Sequence, residues 1–381
     1  MSVFLRFFAI AAFIFGITFQ SFARQRTTTI SWLYHPNRPG VEAYMQGGAF
    51  VANTGSVTAM LFNPAGLAQM PGRLTAAVET GWASRTEYLN FRNVDLVAGF
   101  QPVQFAGIAF QPGRKFAVGA FYTRPTNYNL ERGRFLSTGE NHPDETGEFV
   151  EPVSRREQTS LGMAFATAVA KNFSFGGGLE WRRSRFHDQI LRLYTKGQAE
   201  AVRFSIGAIL QIRDWNMGIS AQGKYNAAGD GEFTPISDIL DTLGQRIRYD
   251  PLPLPFQFSI EEPASIRLGI ATPYAFDRLR LSADAEYKDF NSEDPIERWQ
   301  FYGGGMVKLM SNVDLSFGAF TFRKDYSAYI EGPKSEIFWT VGASVEISQF
   351  RFSGSFMDGD LLTEGFVGQR FINFAVGFVV P

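Results

Sequence analysis

Apolar and polar residues take turns along several stretches of the chain, each about ten residues long, the length a tilted strand needs to cross a bilayer. From Arg278 to Lys288 the even positions are Arg278, Arg280, Ser282, Asp284, Glu286 and Lys288, and the odd ones are Leu279, Leu281, Ala283, Ala285 and Tyr287. Trp215, Met217, Ile219, Ala221 and Tyr225 oppose Asn216, Ser220, Gln222 and Lys224 in the same way. Val202 to Ile212 and Gln349 to Phe356 repeat it. Period two gives a strand two unlike faces. Here the apolar face is rich in aromatic residues, as a face toward lipid requires.

The connections support the same reading. Short ones are expected near Lys171-Asn172, Arg213-Asp214, Phe276-Asp277, Ser311 and Ser348. Between them lie polar stretches read as long loops: Pro125 to Gln158, His187 to Glu200, Ala227 to Glu262, Phe290 to Glu297, Arg323 to Ser335 and Met357 to Gln369. Short and long alternate, as in barrels with tight periplasmic turns and long external loops. Strands are predicted to begin near residues 73, 104, 115, 158, 172, 201, 215, 263, 278, 298, 312, 335, 349 and 369. The fold expected is therefore all-β: a transmembrane antiparallel β-barrel of about 14 strands, an even number with both ends on the periplasmic side. Residues 93–101 are a further short strand or part of the second one.

The first 72 residues do not join this pattern. Arg6 followed by the apolar run Phe7 to Phe19 and by Ser21-Phe22-Ala23 reads as a signal peptide spanning 1–23, with cleavage after Ala23. A retained anchor is the alternative. Past Ala23 no apolar stretch of about 18 residues remains, so any crossing must be made by strands. Strands in lipid must close on themselves, because lipid cannot satisfy a free edge. Residues 24–72 hold Gly47-Gly48, Asn53-Thr54-Gly55-Ser56 and Asn63-Pro64-Ala65-Gly66-Leu67-Ala68. Asn before Pro is a strong helix start, since the Asn side chain caps free amides and Pro is preset for the first helical position. The segment is expected to be an N-terminal helical plug, or hatch, within the barrel of residues 73–381. A small periplasmic extension is the alternative. A barrel of this size has a lumen too wide for side chains to fill, which favours the plug.

These residues carry a resemblance. Gly47-Gly48-Ala49-Phe50-Val51-Ala52 followed by Phe62-Asn63-Pro64-Ala65-Gly66-Leu67-Ala68 is similar to the hatch of the FadL-like outer-membrane transporters of long-chain fatty acids and aromatic hydrocarbons. That family places an Asn-Pro-Ala motif before the first strand, where Asn63, Pro64 and Ala65 stand. Weaker echoes are Ala264 to Gly269 and Asp284-Ala285-Glu286-Tyr287. The resemblance implies an outer-membrane channel for small hydrophobic molecules, with sideways release through a kinked strand near the motif. Gly99 and Pro102 are the candidate lateral opening, because proline cannot donate to a ladder. A strand that starts after Pro102 is the alternative. The chain departs from the family at Gly55 and Ser56, where an acidic residue is common, and at Pro381, where a terminal aromatic is usual. A related branch binds protein partners, so a structural or secretion-associated barrel is the second reading.

Composition narrows the chemistry. Among 381 residues, 36 basic and 37 acidic side chains nearly cancel, and no basic stripe suggests nucleic acid. The absence of cysteine excludes disulfides and thiolate metal sites. His35, His142 and His187 lack metal-ligand spacing, and neither a nucleotide loop nor a nucleophile elbow occurs. No enzyme activity, cofactor or metal is expected. Glu180, Asp284 and Glu286 are expected to face the lumen. Gly176-Gly177-Gly178 is expected to mark a bulge or close packing against the plug. Ile236, Ile239, Leu240 and Leu243 recur at helical spacing and form a candidate substrate groove, or a helix packed on other loops. The partners expected are outer-membrane lipid and a hydrophobic small molecule, with a protein partner for the second reading.

Overall fold

The computed structural model describes residues 28–29, 39–83, 86–87, 94–97, 101–113, 115–132, 135–136, 149–150, 153–190, 193–235, 237–240, 246–249, 252–289, 299–322, 336–359 and 370–381. The expected signal peptide lies outside them.

Fourteen strands form the wall: β1 Leu74–Ala83, β2 Gln101–Gly113, β3 Phe116–Arg132, β4 Val153–Ala170, β5 Phe173–Ile190 and β6 Leu193–Ile212. β7 runs as Trp215–Gln222 and Tyr225–Pro235, and β8 as Leu254–Glu262 and Ala264–Ala271. β9 Leu279–Asp289, β10 Trp299–Met310, β11 Val313–Phe322, β12 Glu336–Ile347, β13 Phe350–Asp358 and β14 Arg370–Val380 complete it. Each strand pairs antiparallel with the next, and Leu74 opposite Val380 through Ala83 opposite Phe371 closes the ring.

Burial follows the alternation but is inverted relative to a soluble protein. On β9 the polar Ser282, Asp284, Glu286 and Lys288 are buried while Leu281 is exposed. On β7 Asn216 and Ser220 are buried while Trp215, Met217 and Ile219 are exposed. Polar residues thus line the lumen and apolar ones form the outer band, the arrangement of a transmembrane barrel of the outer-membrane type.

The short turns fall where expected. Arg213-Asp214 and Phe276-Asp277 have positive φ at both residues, which matches the right-handed twist of the flanking strands. Several long loops do not exist as read. β4, β5 and β6 have 18, 18 and 20 residues, more than a bilayer needs. β5 and β6 remain paired up to Ile190 opposite Leu193, so His187 to Ile190 and Leu193 to Glu200 are strand. The predicted starts at 158 and 201 are late because Arg155 to Gln158 and Thr195 to Glu200 present no apolar outward face. The start at 263 is late for another reason: Leu254 to Ile260 alternates, but Pro253 and Pro255 interrupt it and Phe258 and Ile260 are buried.

Inside the ring run residues 39–72, with helices α1 Val41–Tyr44 and α2 Ala59–Phe62 and a 3-10 helix Pro64–Gln69. Val57, Met60, Leu67, Ala68 and Met70 form one apolar cluster with the wall residues Phe105, Ala109, Ala117, Phe121, Ala164 and Ala166. Around most of the circumference the wall meets this segment through glycine. A Cβ at Gly176 would lie 2.6 Å from the Ala65 amide nitrogen, and one at Gly304 2.5 Å from the Gln46 carbonyl. Gly207, Gly218, Gly318 and Gly342 would collide with Asn63, Val51, Gly47 and Met45. Gly176 to Gly178 pair in unbroken register on both sides. There is no bulge, and close packing against the inner segment accounts for Gly176.

Candidate functional site

Asn63 does two things. Its Oδ1 accepts from the Ala65 amide at 3.2 Å and caps the 3-10 helix, with Pro64 at the first position. Its Nδ2 donates to the carbonyls of Val51 at 2.7 Å and Ala208 at 3.2 Å. It thereby fastens the inner segment to itself and to β6. Gly207 leaves the space for its side chain.

A second fastening lies across the lumen. Asp284 Oδ2 accepts from the Phe50 and Val51 amides at 2.8 and 3.0 Å. Arg267 pairs with Asp284 at 2.9 Å and donates to the Gly48 carbonyl. Its guanidinium lies 3.8 Å from the Tyr302 ring centroid. A third is Glu79 on β1, fully buried, accepting from the Gly40 amide at 2.7 Å and from the Thr58 hydroxyl at 3.3 Å.

Above α2 the lumen holds a cavity of about 130 Å³. Tyr44, Met60, Leu61, Phe62 and Phe121 form its apolar part. The opposite side carries an ionic cluster. Both oxygens of Glu262 lie 2.7 Å from Arg182 Nη1, Arg203 lies 3.3 Å from Glu262, and Gln158 donates to it at 2.8 Å. Arg182 also binds Glu180 at 2.9 Å. A buried charge is tolerated when paired and hydrogen-bonded, and each of these is.

The wall beside this cavity is irregular. Glu79 pairs with Phe105, but the next pair is Gly81 with Gln101. Thr80 alone thus faces the three residues Pro102 to Gln104. Two threonines hold the kink in place of the ladder. The Thr80 hydroxyl donates to the Gln101 carbonyl at 2.8 Å, and the Thr123 hydroxyl to the Gln104 carbonyl at 3.2 Å. Among the described residues β2 and β3 do not pair above Phe105 with Thr123; higher up, β3 pairs with Val94–Val97. Pro102 therefore sits in a break in the wall, while Gly99 lies outside the described residues. An outward groove runs beside this break over the faces of β1 to β6, lined by Val78, Ile108, Leu161 and Met163. Phe121 and Leu179 line both this groove and the lumen cavity.

The candidate groove in the external loops takes another form. Ser237–Leu240 and Arg246–Tyr249 pair as an antiparallel hairpin with Ile239 opposite Ile247, so the helical spacing is not realised there. Short apolar runs rich in Ile fit either period. Ile236 and Leu243 lie outside the described residues.

Sequence reasoning missed Glu79, the Arg267–Asp284 tie, the kink-holding threonines and the ionic cluster. The tie is half visible in the sequence, because Arg267 and Asp284 both stand in the weaker family echoes and Asp284 is expected to face the lumen. Among the described residues no cluster of candidate metal ligands occurs.

The fold defines a closed transmembrane β-barrel of 14 strands. No family model matches the chain, and no curated protein matches it. Solved structures do. The toluene transporter TbuX of Ralstonia pickettii superposes with a TM-score of 0.66 at 15% identity, over 90% of this chain and 97% of that one. The toluene transporter TodX of P. putida gives 0.66 at 15% identity, over 90% and 98%. The monoaromatic hydrocarbon channel CymD gives 0.59 at 13% identity, over 89% and 96%. The chain has the fold of these transport channels, the FadL-like barrel that the hatch motif led us to expect.

Proposed function

We propose that the protein is an outer-membrane channel that takes up small hydrophobic molecules, exported by the signal peptide 1–23 and closed by the hatch of residues 24–72. One observation carries this reading. A lumen cavity above the hatch and a lipid-facing groove beside a break in the wall share Phe121 as a boundary. A molecule entering from outside would rest in the cavity, pass Phe121 and leave sideways near Pro102. Asn63, Pro64 and Ala65 keep the hatch seated during passage. The driving force is burial, about 25 cal/mol per Å² of apolar surface withdrawn from water, and no nucleotide is spent. The toluene transporters that share the fold support a hydrophobic cargo. Hydrocarbons and fatty acyl chains are the candidate classes. Reconstituted into liposomes, the protein should accelerate toluene entry severalfold over empty liposomes. Equal rates would refute the proposal.

A further inference from the structure

The outer face of the barrel carries two apolar hollows that differ in the charge above them. The first, of about 700 Å³, is the groove on β1 to β6, lined among others by Val78, Ile108, Leu161, Met163, Trp181 and Val202. The second, of about 590 Å³, lies on β8 to β12 and is lined among others by Ile270, Leu281, Phe317, Trp339 and Val341. Both fall within the roughly 300 to 1,000 Å³ of small-molecule sites. Above the second, the outward positions are Tyr287 and Asp289 on β9, Trp299 and Phe301 on β10 and Thr321 on β11. Among the described residues none of these is a cation.

Above the first groove the outward positions are rich in cations. Upward along the wall they are Thr159, Glu157 and Arg155 on β4, Arg183, Arg185 and His187 on β5, and Glu200, Gln198 and Lys196 on β6. The register sets them in three rows: Thr159, Arg183 and Glu200, then Glu157, Arg185 and Gln198, then Arg155, His187 and Lys196. The Arg183 guanidinium lies 5.1 Å from the Trp181 ring centroid, so the rows start at the rim of the groove. Arg124 on β3 stands two residues above Tyr122, which also lines the groove.

Three of these cations are paired. Arg183 binds Glu200 at 2.5 Å, Arg124 binds Glu157 at 2.5 Å, and Lys196 binds Glu232 of β7 at 2.8 Å. Both outward acids of β4 to β6 in these rows are thereby taken. Asp230 on β7 is kept from Arg185 by Gln198, which lies between them. Arg155 and Arg185 are exposed and have no ion-pair partner among the described residues. They are diagonal neighbours across β4 and β5, a spacing of about 7 to 8 Å. Like charges that close repel. A phosphate between two guanidiniums relieves the repulsion and accepts paired N–H donors from each. Arg185 is four residues above Trp181, or about 13 Å along the strand, so one lipid can reach both the arginines and the groove.

We propose that this face binds a phosphorylated lipid of the outer leaflet, its phosphate between Arg155 and Arg185 and an acyl chain in the groove below. The inference stands apart from the uptake reading, which toluene entry tests. Native mass spectrometry of the full chain in detergent tests it with three probes: bis-phosphorylated lipid A, the same lipid with both phosphates removed, and inorganic phosphate. One lipid A per barrel should be retained, and the dephosphorylated form at least tenfold less. Replacing Arg155→Gln and Arg185→Gln together should cut retention at least tenfold. Ala106→Phe, which fills the groove from its floor, should cut it severalfold. Lys171→Gln, at the other end of the same hairpin, should leave it within twofold. Inorganic phosphate in large excess should not displace the lipid. Equal retention of the two lipid forms, unchanged retention in the double variant or in Ala106→Phe, an equal loss in Lys171→Gln, or displacement by inorganic phosphate would overturn the inference, whatever the rate of toluene entry.

Discussion

Phe121 on β3 lies directly opposite Gly162 on β4, and a side chain at 162 would overlap its ring. The absent side chain lets the ring lie over β4, where it lines both the lumen cavity and the outer groove. The Phe105 ring stacks beside it at 6.4 Å between centroids. The two rings close the seam next to the kink.

Phe121→Ala should therefore open the sideways path. Toluene entry into proteoliposomes should rise severalfold over the unaltered protein. The same change removes a buried ring from an apolar cluster, a loss of about 3 to 5 kcal/mol, so the urea midpoint of the barrel should fall. A lower midpoint with unchanged entry would show that Phe121 packs the wall and gates nothing.

Asp284 holds two amides of the hatch and neutralises Arg267. Asp284→Ala would leave the buried guanidinium unpaired, a cost of about 3 to 5 kcal/mol. The hatch should loosen before the barrel does. Limited proteolysis should cut near residues 47–53 in the variant and leave the unaltered protein intact there. Equal resistance in both would remove the tie from the account.

The glycines facing the hatch give a prediction opposite in sign to strand propensity. Valine is the better strand former, yet the three atoms nearest a Cβ at Gly318 would all be backbone atoms of Gln46 and Gly47. Backbone cannot swing aside as a side-chain end can. Gly318→Val should expel the hatch from its seat, seen as new cleavage within residues 39–72 by the same protease assay. Unchanged resistance would mean that the contact yields.

Much of the barrel was legible because lipid enforces the alternation that a sequence displays. Leu279 to Lys288 reads correctly residue by residue, and ten of the fourteen strand starts fall within a residue of the observed ones. The pattern fades at Arg155 to Gln158 and at Thr195 to Glu200, where the outward positions are polar, and there a strand reads as a loop. The helix inside the ring at Pro64–Gln69 was legible through Asn63-Pro64, a local signal of helix capping. Its fastenings were not. Asp284 is 234 residues from Phe50 and Glu79 is 39 from Gly40, and nothing local marks a wall carboxylate as the acceptor for a distant amide. The glycine contacts were hidden for a similar reason. They lie one to a strand, and they align only when the strands are in register.

The account stands on a barrel whose throat is stoppered while small apolar molecules still cross. Planar-bilayer recording of the purified protein tests that most directly. The seated hatch predicts no discrete current steps at moderate voltage from a preparation that speeds toluene entry into liposomes. Stable steps of a water-filled pore in the unaltered protein would contradict it.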